Sequence, residues 1–150
     1  MKVVKIKKSL INRFQKDPEL LVKEDRPCVL VIKLVYKGNK RDFAVPLRSN
    51  IAPATQKSEY FALPPRSSTK KNHHHGIHYT KMFPVSKEYY ERYRTEGDPA
   101  STLICAIIDK HEKEIVADCQ SYLNRYEANG KPQYATDLDL LINLIENEGQ

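Results

Sequence analysis

The hydrophobic pattern of the chain changes once, near residue 86. Before that point, β-branched and aromatic residues occur in short runs, most of them bounded by Gly, Pro or Asn, as is typical of strands. The predicted strands are Lys2 to Lys7, Cys28 to Tyr36, Arg41 to Leu47, Glu59 to Leu63 and Ile77 to Val85. A short helix is predicted at about Ser9 to Gln15. Lys37-Gly38-Asn39-Lys40 predicts a hairpin turn, because Gly and Asn tolerate positive φ.

After residue 86 the pattern is helical. Ser86 is predicted to cap a short helix that carries Tyr89, Tyr90 and Tyr93 on one side. Asp98-Pro99 predicts the start of a long helix, since a capping carboxylate precedes a proline at the first helical position. The apolar face of this helix recurs at steps of four and three: Ile104, Ile108, His111, Ile115, Cys119, Tyr122 and Tyr126.

The long helix should end near Gly130-Lys131-Pro132, and Thr136 should cap a last helix. That helix turns Leu138, Leu141 and Ile145 inward. Strands followed by helices predict an α+β fold in which an antiparallel sheet is flanked by helices, with a long C-terminal helix. The chain of 150 residues is long enough for a real core, and residues 1–150 are expected to form one domain.

Charge is distributed unevenly along the chain. Residues 1–94 carry 21 Lys and Arg against 8 Asp and Glu, a net charge of +13, whereas residues 95–150 carry 4 against 11, a net charge of −7. A basic portion with interleaved Tyr and Phe suits a polyanion whose phosphates neutralise the cations while its bases stack on the rings. The acidic portion suits solvated helices, so the pattern indicates RNA binding by the first part of the chain.

The cysteines and the apolar runs limit the class of protein. Cys28, Cys105 and Cys119 are odd in number, widely spaced and without a C-x-x-C pair, so a disulfide framework is not expected. Lysines interrupt the apolar N-terminus, which therefore lacks the hydrophobic region of a signal peptide. No apolar run is long enough to span a bilayer, and we expect no membrane partner. These features are those of a protein in a reducing cytoplasm.

Two segments carry candidate chemistry for cleaving RNA. Arg48 and Ser49 lie where a predicted strand opens into the loop of residues 49–55. A guanidinium offers a fixed fork of donors to two phosphate oxygens, and a serine hydroxyl is able to hold the attacking 2′-oxygen or a phosphate oxygen. Cleavage without a metal also needs a base and an acid, so these two residues alone are not sufficient.

The second segment is the run HHHGIHYTKMFPV, residues 73–85, because imidazole is well matched to proton transfer near neutral pH. His75 and His78 are the candidates, whereas His73 and His74 are expected in a solvated loop. On a regular strand His78 and Lys81 point to opposite faces, so only one of them faces the active site unless the strand bulges or twists. A contiguous His run lacks the spacing of structural zinc sites, and no metal or other cofactor is expected.

These residues resemble a known family. Arg26-Pro27 before a hydrophobic strand, AVPLRS after a turn, GIHYTKMFPV after a loop and a helix opening on Asp98-Pro99 are similar to the ToxN/AbiQ toxins of type III toxin–antitoxin systems, closest to the CptN-like or TenpN-like branch. The resemblance covers about residues 1–128. It implies a compact, strongly twisted and partly barrel-like antiparallel sheet, similar to the MazF/Kid toxins.

The resemblance also implies an activity and its partners. It implies an endoribonuclease that cleaves mRNA and its own antitoxin precursor without a metal, leaving a 2′,3′-cyclic phosphate and a 5′-hydroxyl. It implies a small repeat-encoded antitoxin RNA that is cut into pseudoknots, fills the active-site groove and forms a protein–RNA complex. A role in phage abortive infection is the corresponding biological expectation.

Site residues carry over by motif. Ser49 matches the family's serine, Arg48 the polar residue before it, and Arg26 a basic residue ahead of the long strand. ToxN has a lysine two residues after the serine, where this chain has Ile51. The missing cation must then come from elsewhere. Arg48 could replace its charge and His75 or His78 its proton transfer, with Lys81 or Tyr79 as further options, so the base and acid stay unassigned.

Contacts to RNA are expected from basic and aromatic side chains outside the catalytic set. The candidates are Lys2, Lys5, Lys7, Lys33, Arg66, Lys70, Lys71 and Tyr79. The competing interpretation is a non-catalytic RNA-binding protein such as a translational repressor, which would leave RNA intact. A DNA-binding protein is not favoured, because no helix combines the Arg, Lys and Asn needed to read a major groove and the long helix is acidic.

Overall fold

The structure is a computed structural model that describes residues 2–20, 29–92 and 98–147. Its strands are β1 (Lys2–Ile6), β2 (Val29–Tyr36), β3 (Asn39–Ile51), β4 (Tyr60–Leu63), β5 (His74–His78), β6 (Phe83–Pro84) and β7 (Tyr90–Arg92). Its helices are α1 (Lys8–Arg13), α2 (Pro99–Lys110), α3 (Glu112–Asn129) and α4 (Leu138–Glu146).

The strands of the described residues form one antiparallel sheet in the order β4-β5-β3-β2-β1-β7, and β6 pairs with β3 beside this path. The sheet is open and does not close into the partly barrel-like form that the resemblance implies. The predicted α+β class with flanking helices is confirmed. β3 is the organising strand, since its 13 residues pair with β2, β5 and β6.

Helices cover both faces of the sheet. Opposite residues of antiparallel strands share a face, so Leu30 with Val45 and Ile32 with Phe43 point to one side. On that side they pack against α2 and α3 in the larger core cluster. Ala44 points to the other side, where it joins residues of α1 and α4 in a second cluster. Burial of these two apolar layers is the main stabilising term of the fold.

The predicted strand from Ile77 to Val85 is interrupted. β5 begins earlier, at His74, and ends at His78, where a 3-10 turn over Tyr79–Lys81 replaces the extended chain. The N–H of Met82 closes this turn on the carbonyl of Tyr79 at 3.1 Å. The apolar pattern missed the turn because its residues are buried like those of a central strand. The turn changes which way Thr80 and Lys81 point.

The predicted helix after Ser86 is wrong. Residues Lys87–Tyr89 form one 3-10 turn, and Tyr90–Arg92 form β7, which pairs with β1. The N–H of Lys7 donates to the carbonyl of Tyr89 at 2.8 Å, which draws this segment onto the sheet edge. Tyr93, expected on the same helix, lies outside the described residues. Pairing with β1 therefore overrides the local helical spacing.

The predicted long helix is two helices. α2 ends at Lys110 and α3 begins at Glu112, with His111 between them at φ −107 and ψ 19. The apolar face continues across this break, so the spacing alone did not show it. The start at Asp98 and Pro99 is confirmed, as is the end before Gly130. The cap of α4 is Asp137 rather than Thr136, whose hydroxyl donates to the buried carbonyl of Met82.

No helix within residues 2–20, 29–92 and 98–147 is both long and apolar enough to cross a membrane. This agrees with the sequence, which has no apolar run of that length.

Gly76 is where β4 and β5 approach most closely. A Cβ at this position would lie 2.3 Å from the carbonyl oxygen of Phe61, which is backbone and yields little. We expect Gly76→Ala to lower the free energy of unfolding by about 1–3 kcal/mol or more, as overpacking does, measured by urea denaturation. Gly38→Asn is the control: position 38 has φ +78 and open space around it, so Asn should be tolerated. An alanine variant as stable as the parent would contradict the close approach.

Candidate functional site

Strand register collects the site on one face of the sheet. Arg48 of β3 lies opposite Gly76 of β5, and Ala62 of β4 lies opposite Gly76 from the other side. Because alternate residues of a strand share a face, His74 and His78 lie on the same face as Gly76. This surface, which we call the Arg48 face, holds residues 48, 60, 62, 74, 76 and 78. It adjoins the second apolar cluster, which lies on the same side of the sheet.

A chain of hydrogen bonds runs through the middle of the Arg48 face. Nη1 of Arg48 donates to Nδ1 of His78 at 3.3 Å, and Nε2 of His78 lies 2.9 Å from Oγ1 of Thr80. A guanidinium only donates, so Nδ1 must be the acceptor and the ring proton must lie on Nε2. The hydroxyl oxygen of Thr80 then accepts it. Arg48 and Thr80 therefore hold His78 as a neutral imidazole whose proton is on Nε2.

The surroundings of His78 favour that neutral form. Its side chain is 6 % exposed, and burial, the charge of Arg48 and the charge of Lys81 together lower the pKa of His78 to about 3. Burial also lowers the pKa of Arg48, yet an arginine stays charged in any ordinary buffer. The pair is thus a fixed cation supported by an uncharged ring, an arrangement suited to hold a phosphate group.

Ser49 follows Arg48 in a distorted part of β3. The register shifts between Arg48 and Ile51, so one extra residue is accommodated there as in a β-bulge. Ser49 is half-buried, and its hydroxyl makes no hydrogen bond within the described part of the chain. A bulge breaks the strict alternation of side chains. Ser49 is thus a free hydroxyl next to the Arg48 guanidinium in the chain.

Asn50 joins the bulge to a basic loop. Its side-chain oxygen accepts from the N–H of Lys70 at 2.7 Å, and its amide nitrogen donates to the carbonyl of Ser68 at 3.2 Å. The loop carries Arg66, Lys70 and Lys71, all exposed. No Asp or Glu occurs between Glu59 and Glu88. The bulge and the loop therefore form a continuous basic surface beside the Arg48 face.

His75 does not join this site. It lies opposite Leu63 of β4 on the core side of the sheet, and its exposed fraction is 2 %. Its Nδ1–H donates to the carbonyl of Pro64 at 2.7 Å, which anchors the start of the basic loop. Burial is the main cause of its lowered pKa. Of the two predicted catalytic histidines, only His78 contacts Arg48.

Lys81 and Tyr79 are engaged elsewhere. Nζ of Lys81 lies 2.6 Å from a carboxylate oxygen of Glu19 and 2.6 Å from the carbonyl of Tyr134. Its charge is thus compensated in a buried ion pair, although it still acts on His78. Tyr79 is fully buried and donates to Asp118 at 3.1 Å. This placement argues against the predicted RNA contact of Tyr79, because a ring without exposure offers no face to a base.

The other predicted cations are spread over the molecule. Arg26 and the side chain of Lys2 lie outside the described residues. Lys33, on β2, lies 3.8 Å from Asp42, and Lys5, on β1, is half-buried. Lys7 is exposed just after β1. β1 is separated from β3 by β2, so Lys5 and Lys7 are remote from Arg48 in the sheet, whereas Lys33 pairs with Asp42, six residues before Arg48 on β3.

Sequence reasoning missed Thr80 and Asn50. Thr80 follows His78 at a spacing of two, which on a strand places both on one face, and this spacing could have suggested a hydrogen bond. Asn50 gave no comparable indication, because its two partners lie in a loop some 20 residues away. Within the described ranges, no group of three or more His, Cys, Asp or Glu side chains is placed to hold a metal ion.

Comparison with known proteins gave no match to a protein-family model and none to a curated protein. Solved structures do match. A chain from a bacterial antiviral system regulated by a processed non-coding RNA superposes with a TM-score of 0.74 and 18 % identity, covering 100 % of both chains. AbiQ, a lactococcal anti-phage endoribonuclease of a type III toxin–antitoxin system, gives 0.71 and 13 % identity over 95 % of this chain and 93 % of AbiQ.

A third structure comes from a type III toxin–antitoxin system in which a non-coding RNA pseudoknot inhibits the toxin. It gives a TM-score of 0.71 and 14 % identity, over 98 % of this chain and 97 % of the other. The fold is that of the ToxN/AbiQ toxins. The family resemblance of the sequence is thus confirmed at the level of structure, over nearly the whole chain. At these identities the ToxN/AbiQ likeness establishes the architecture, and the site must be argued from this chain's own residues.

The neutral state of His78 predicts an acid-sensitive fold. The unfolded chain takes up a proton below pH 6.5, whereas folded His78, with a pKa of about 3, does not. Stability is therefore lost as pH falls below 6.5, and His78 should account for about 1 kcal/mol between pH 7 and 5.5. His75 acts in the same direction. Urea denaturation of His78→Gln should show a smaller pH slope than the parent, and His73→Gln should not. Equal slopes in all three proteins would contradict the buried neutral ring.

Proposed function

We propose that this protein is a metal-independent endoribonuclease toxin of a type III toxin–antitoxin system. The observation that carries the proposal is the Arg48 guanidinium held by neutral His78, next in the chain to the free hydroxyl of Ser49. The basic loop beside it supplies a path for an RNA backbone. The ToxN/AbiQ fold supports the reaction class by analogy, because AbiQ is an endoribonuclease.

In the proposed reaction, the 2′-oxygen of RNA attacks the adjacent phosphorus and the 5′-oxygen leaves. The products are a 2′,3′-cyclic phosphate and a 5′-hydroxyl. Negative charge builds up on the non-bridging oxygens in the transition state, and the Arg48 guanidinium stabilises it through two parallel hydrogen bonds. The Ser49 hydroxyl donates to one of these oxygens or orients the 2′-oxygen. The hydrogen bond to His78 positions Arg48 before RNA arrives, which is what makes such a donor effective.

His78 serves first as the support of Arg48. The lone pair of its Nδ1 already accepts from the guanidinium, so it is not free to take the 2′-hydroxyl proton while that bond lasts. Its low pKa also makes it a weak base. In this scheme the rate depends on the neutral ring and does not show a histidine limb near pH 6.5. Solvent or a substrate group moves the proton.

We further propose that the same surface binds the inhibitor. A small antitoxin RNA of pseudoknot form would occupy the Arg48 face and the basic loop, and cellular mRNA would be the substrate. The related systems motivate this: one is regulated by a non-coding RNA and another is inhibited by an RNA pseudoknot. An RNA partner also suits the charge of the first part of the chain, which is +13 over residues 1–94.

Cleavage is tested with a labelled single-stranded RNA in EDTA. The parent should cut it, and Arg48→Ala should lower kcat by about 10²- to 10³-fold, as the loss of one pre-organised donor does. Ser49→Ala should lower it similarly and abolish growth arrest when expressed in bacteria. Lys113→Ala, an exposed cation on the acidic α3, should retain the parent rate and reports on general charge effects. Melting temperatures separate lost chemistry from lost folding.

Two results would sink the nuclease assignment. If the parent binds RNA yet leaves it intact, the protein is an RNA-binding module. If EDTA stops cleavage and zinc restores it, the reaction requires a metal. A pH profile of kcat checks the mechanism, because the supporting role of His78 predicts that the profile of the parent has no break near pH 6.5. A limb near pH 6.5 that disappears in His78→Gln would instead make His78 the proton carrier.

RNA affinity should fall steeply with salt, because bound phosphates release counterions from the RNA. The logarithm of the binding constant should decrease linearly with the logarithm of salt concentration, with a slope of about −0.7 for each phosphate contact to single-stranded RNA. Replacing Lys70 and Lys71 by alanine should reduce this slope by about 1.4. The control pair Lys110→Ala and Lys113→Ala should leave it unchanged. A flat salt dependence in the parent would contradict the basic surface.

A further inference from the structure

Beside Arg48, the structure contains a stacked ring pair with no assigned role. The rings of Tyr60 and His74 lie 5.1 Å apart between centroids with an interplanar angle of 24°. Tyr60 is the inner member, with 9 % of its surface exposed, and His74 is half-exposed. One face of the imidazole is covered by Tyr60, so its exposure falls on the other face and the edges. The pair thus presents a flat ring backed by a second ring.

Gly76 explains why the pair can form. Tyr60 is opposite His78 in the register, yet its ring stacks on His74, which lies four residues from His78 along β5 on the same face. A Cβ on Gly76 would lie 3.4 Å from Cδ2 of Tyr60, so the ring crosses directly above the glycine. The absence of a side chain at position 76 provides the space for the crossing. Tyr60 is held against the sheet, and His74 is held against Tyr60.

The outer side of this pair is accessible. Ala62, on the same face and directly opposite Gly76, is exposed and has the smallest side chain that could stand there. β4 is the terminal strand of the sheet, so no further strand covers it within the described residues. The basic loop begins after β4 and returns to β5 immediately before His74. A ligand at His74 would therefore lie between the loop cations and Arg48.

The distance to Arg48 suits one nucleotide. Arg48 on β3 is opposite Gly76 on β5, and His74 is two residues from Gly76 along β5, so Arg48 and His74 are diagonal neighbours about 7–8 Å apart. Proteins that bind single-stranded RNA stack splayed bases on aromatic or histidine rings while cations hold the backbone. We infer that His74, backed by Tyr60, is a stacking site for the nucleobase next to the phosphate that Arg48 binds. The inference rests on the proposed function for its ligand, single-stranded RNA.

Stacking also defines what the site recognises. Every nucleobase has a π-face, so a ring platform contributes affinity with little choice of sequence. Because Tyr60 fixes the imidazole plane in advance, little side-chain entropy is lost when a base binds. His74 should thus act on binding and KM, with kcat changed far less. A purely structural pair would show its effect in stability and not in its response to a missing base.

The test combines a change in the protein, at His74, with a change in the RNA, the removal of one base. The probe is a single-stranded RNA with 2′-deoxynucleotides, so that it binds without being cut, and an abasic residue is moved along it one position at a time. In the parent, one position should weaken binding by about 5- to 150-fold, the range that base–aromatic stacking of about 1–3 kcal/mol gives. His74→Ala should cause a similar loss on the intact probe and none on that abasic probe. His74→Phe, which keeps a ring, should restore affinity.

The outcomes separate this inference from the nuclease proposal. If the loss of affinity from His74→Ala and the loss from the abasic residue multiply at every abasic position, His74 does not contact a base and the inference is wrong. The same holds if His74→Phe binds as weakly as His74→Ala although both melt like the parent. If coupling is found while the parent fails to cut an all-ribose RNA, the stacking site stands and the nuclease proposal falls. If the parent binds no RNA at any salt concentration, both fall.

Discussion

The pairing of β3 with β5 is the constraint on which the other features depend. Leu47 opposes Ile77, and one step further Arg48 opposes Gly76. Adjacent residues of a strand point to opposite faces, so a single register places apolar contacts in the larger core and the guanidinium on the outer face. A slip of one residue would bury the arginine and expose the core leucine. The stability of the core thus fixes the position of the candidate chemistry.

Charge and burial then determine the state of the site. His78 lies between two cations, Arg48 and Lys81, in a place with little solvent, and either cause alone disfavours a protonated ring. The charge of Lys81 is compensated by Glu19. Arg48, which donates to His78, is therefore the cation next to this ring that is available to bind an anion. The Arg48 guanidinium fixes the tautomer, and the Thr80 hydroxyl oxygen accepts the Nε2 proton. The fold therefore supplies a rigid, permanently charged donor instead of a titrating pair.

Much of this could be predicted from the sequence, and what was missed has a physical reason. Four of the five strands predicted in the first half, the turn at Gly38, the Asp98 cap and the α+β class follow from local patterns, and the structure confirms them. The predicted strand from Ile77 to Val85 is the exception. Arg48 and His78 were expected in the site, and the structure brings them together. To predict that His75 and His78 lie on opposite faces, one must know that β5 begins at His74. The run of histidines resembled a loop and did not indicate this start. The partners of Asn50 and Lys81 depend on contacts across the chain, which no local pattern encodes.

Ile51 shows how the end of the β3 bulge is filled in this chain. The sequence resemblance to the ToxN toxins implies a lysine at the position of Ile51, which in this chain is fully buried and opposite His74 at the end of the β3 bulge. A lysine at such a position would need a partner or solvent, and the apolar residue needs neither. Positive charge is instead provided by Arg48, one residue before the serine, and by a loop that Asn50 ties to the bulge. At 18 % identity or less, the matched structures share the architecture, and the position of charge along β3 is a property of this chain's own residues. In this chain, the register of β3 thus places the Arg48 guanidinium next to the bulge that carries Ser49, while the buried end of the bulge stays apolar.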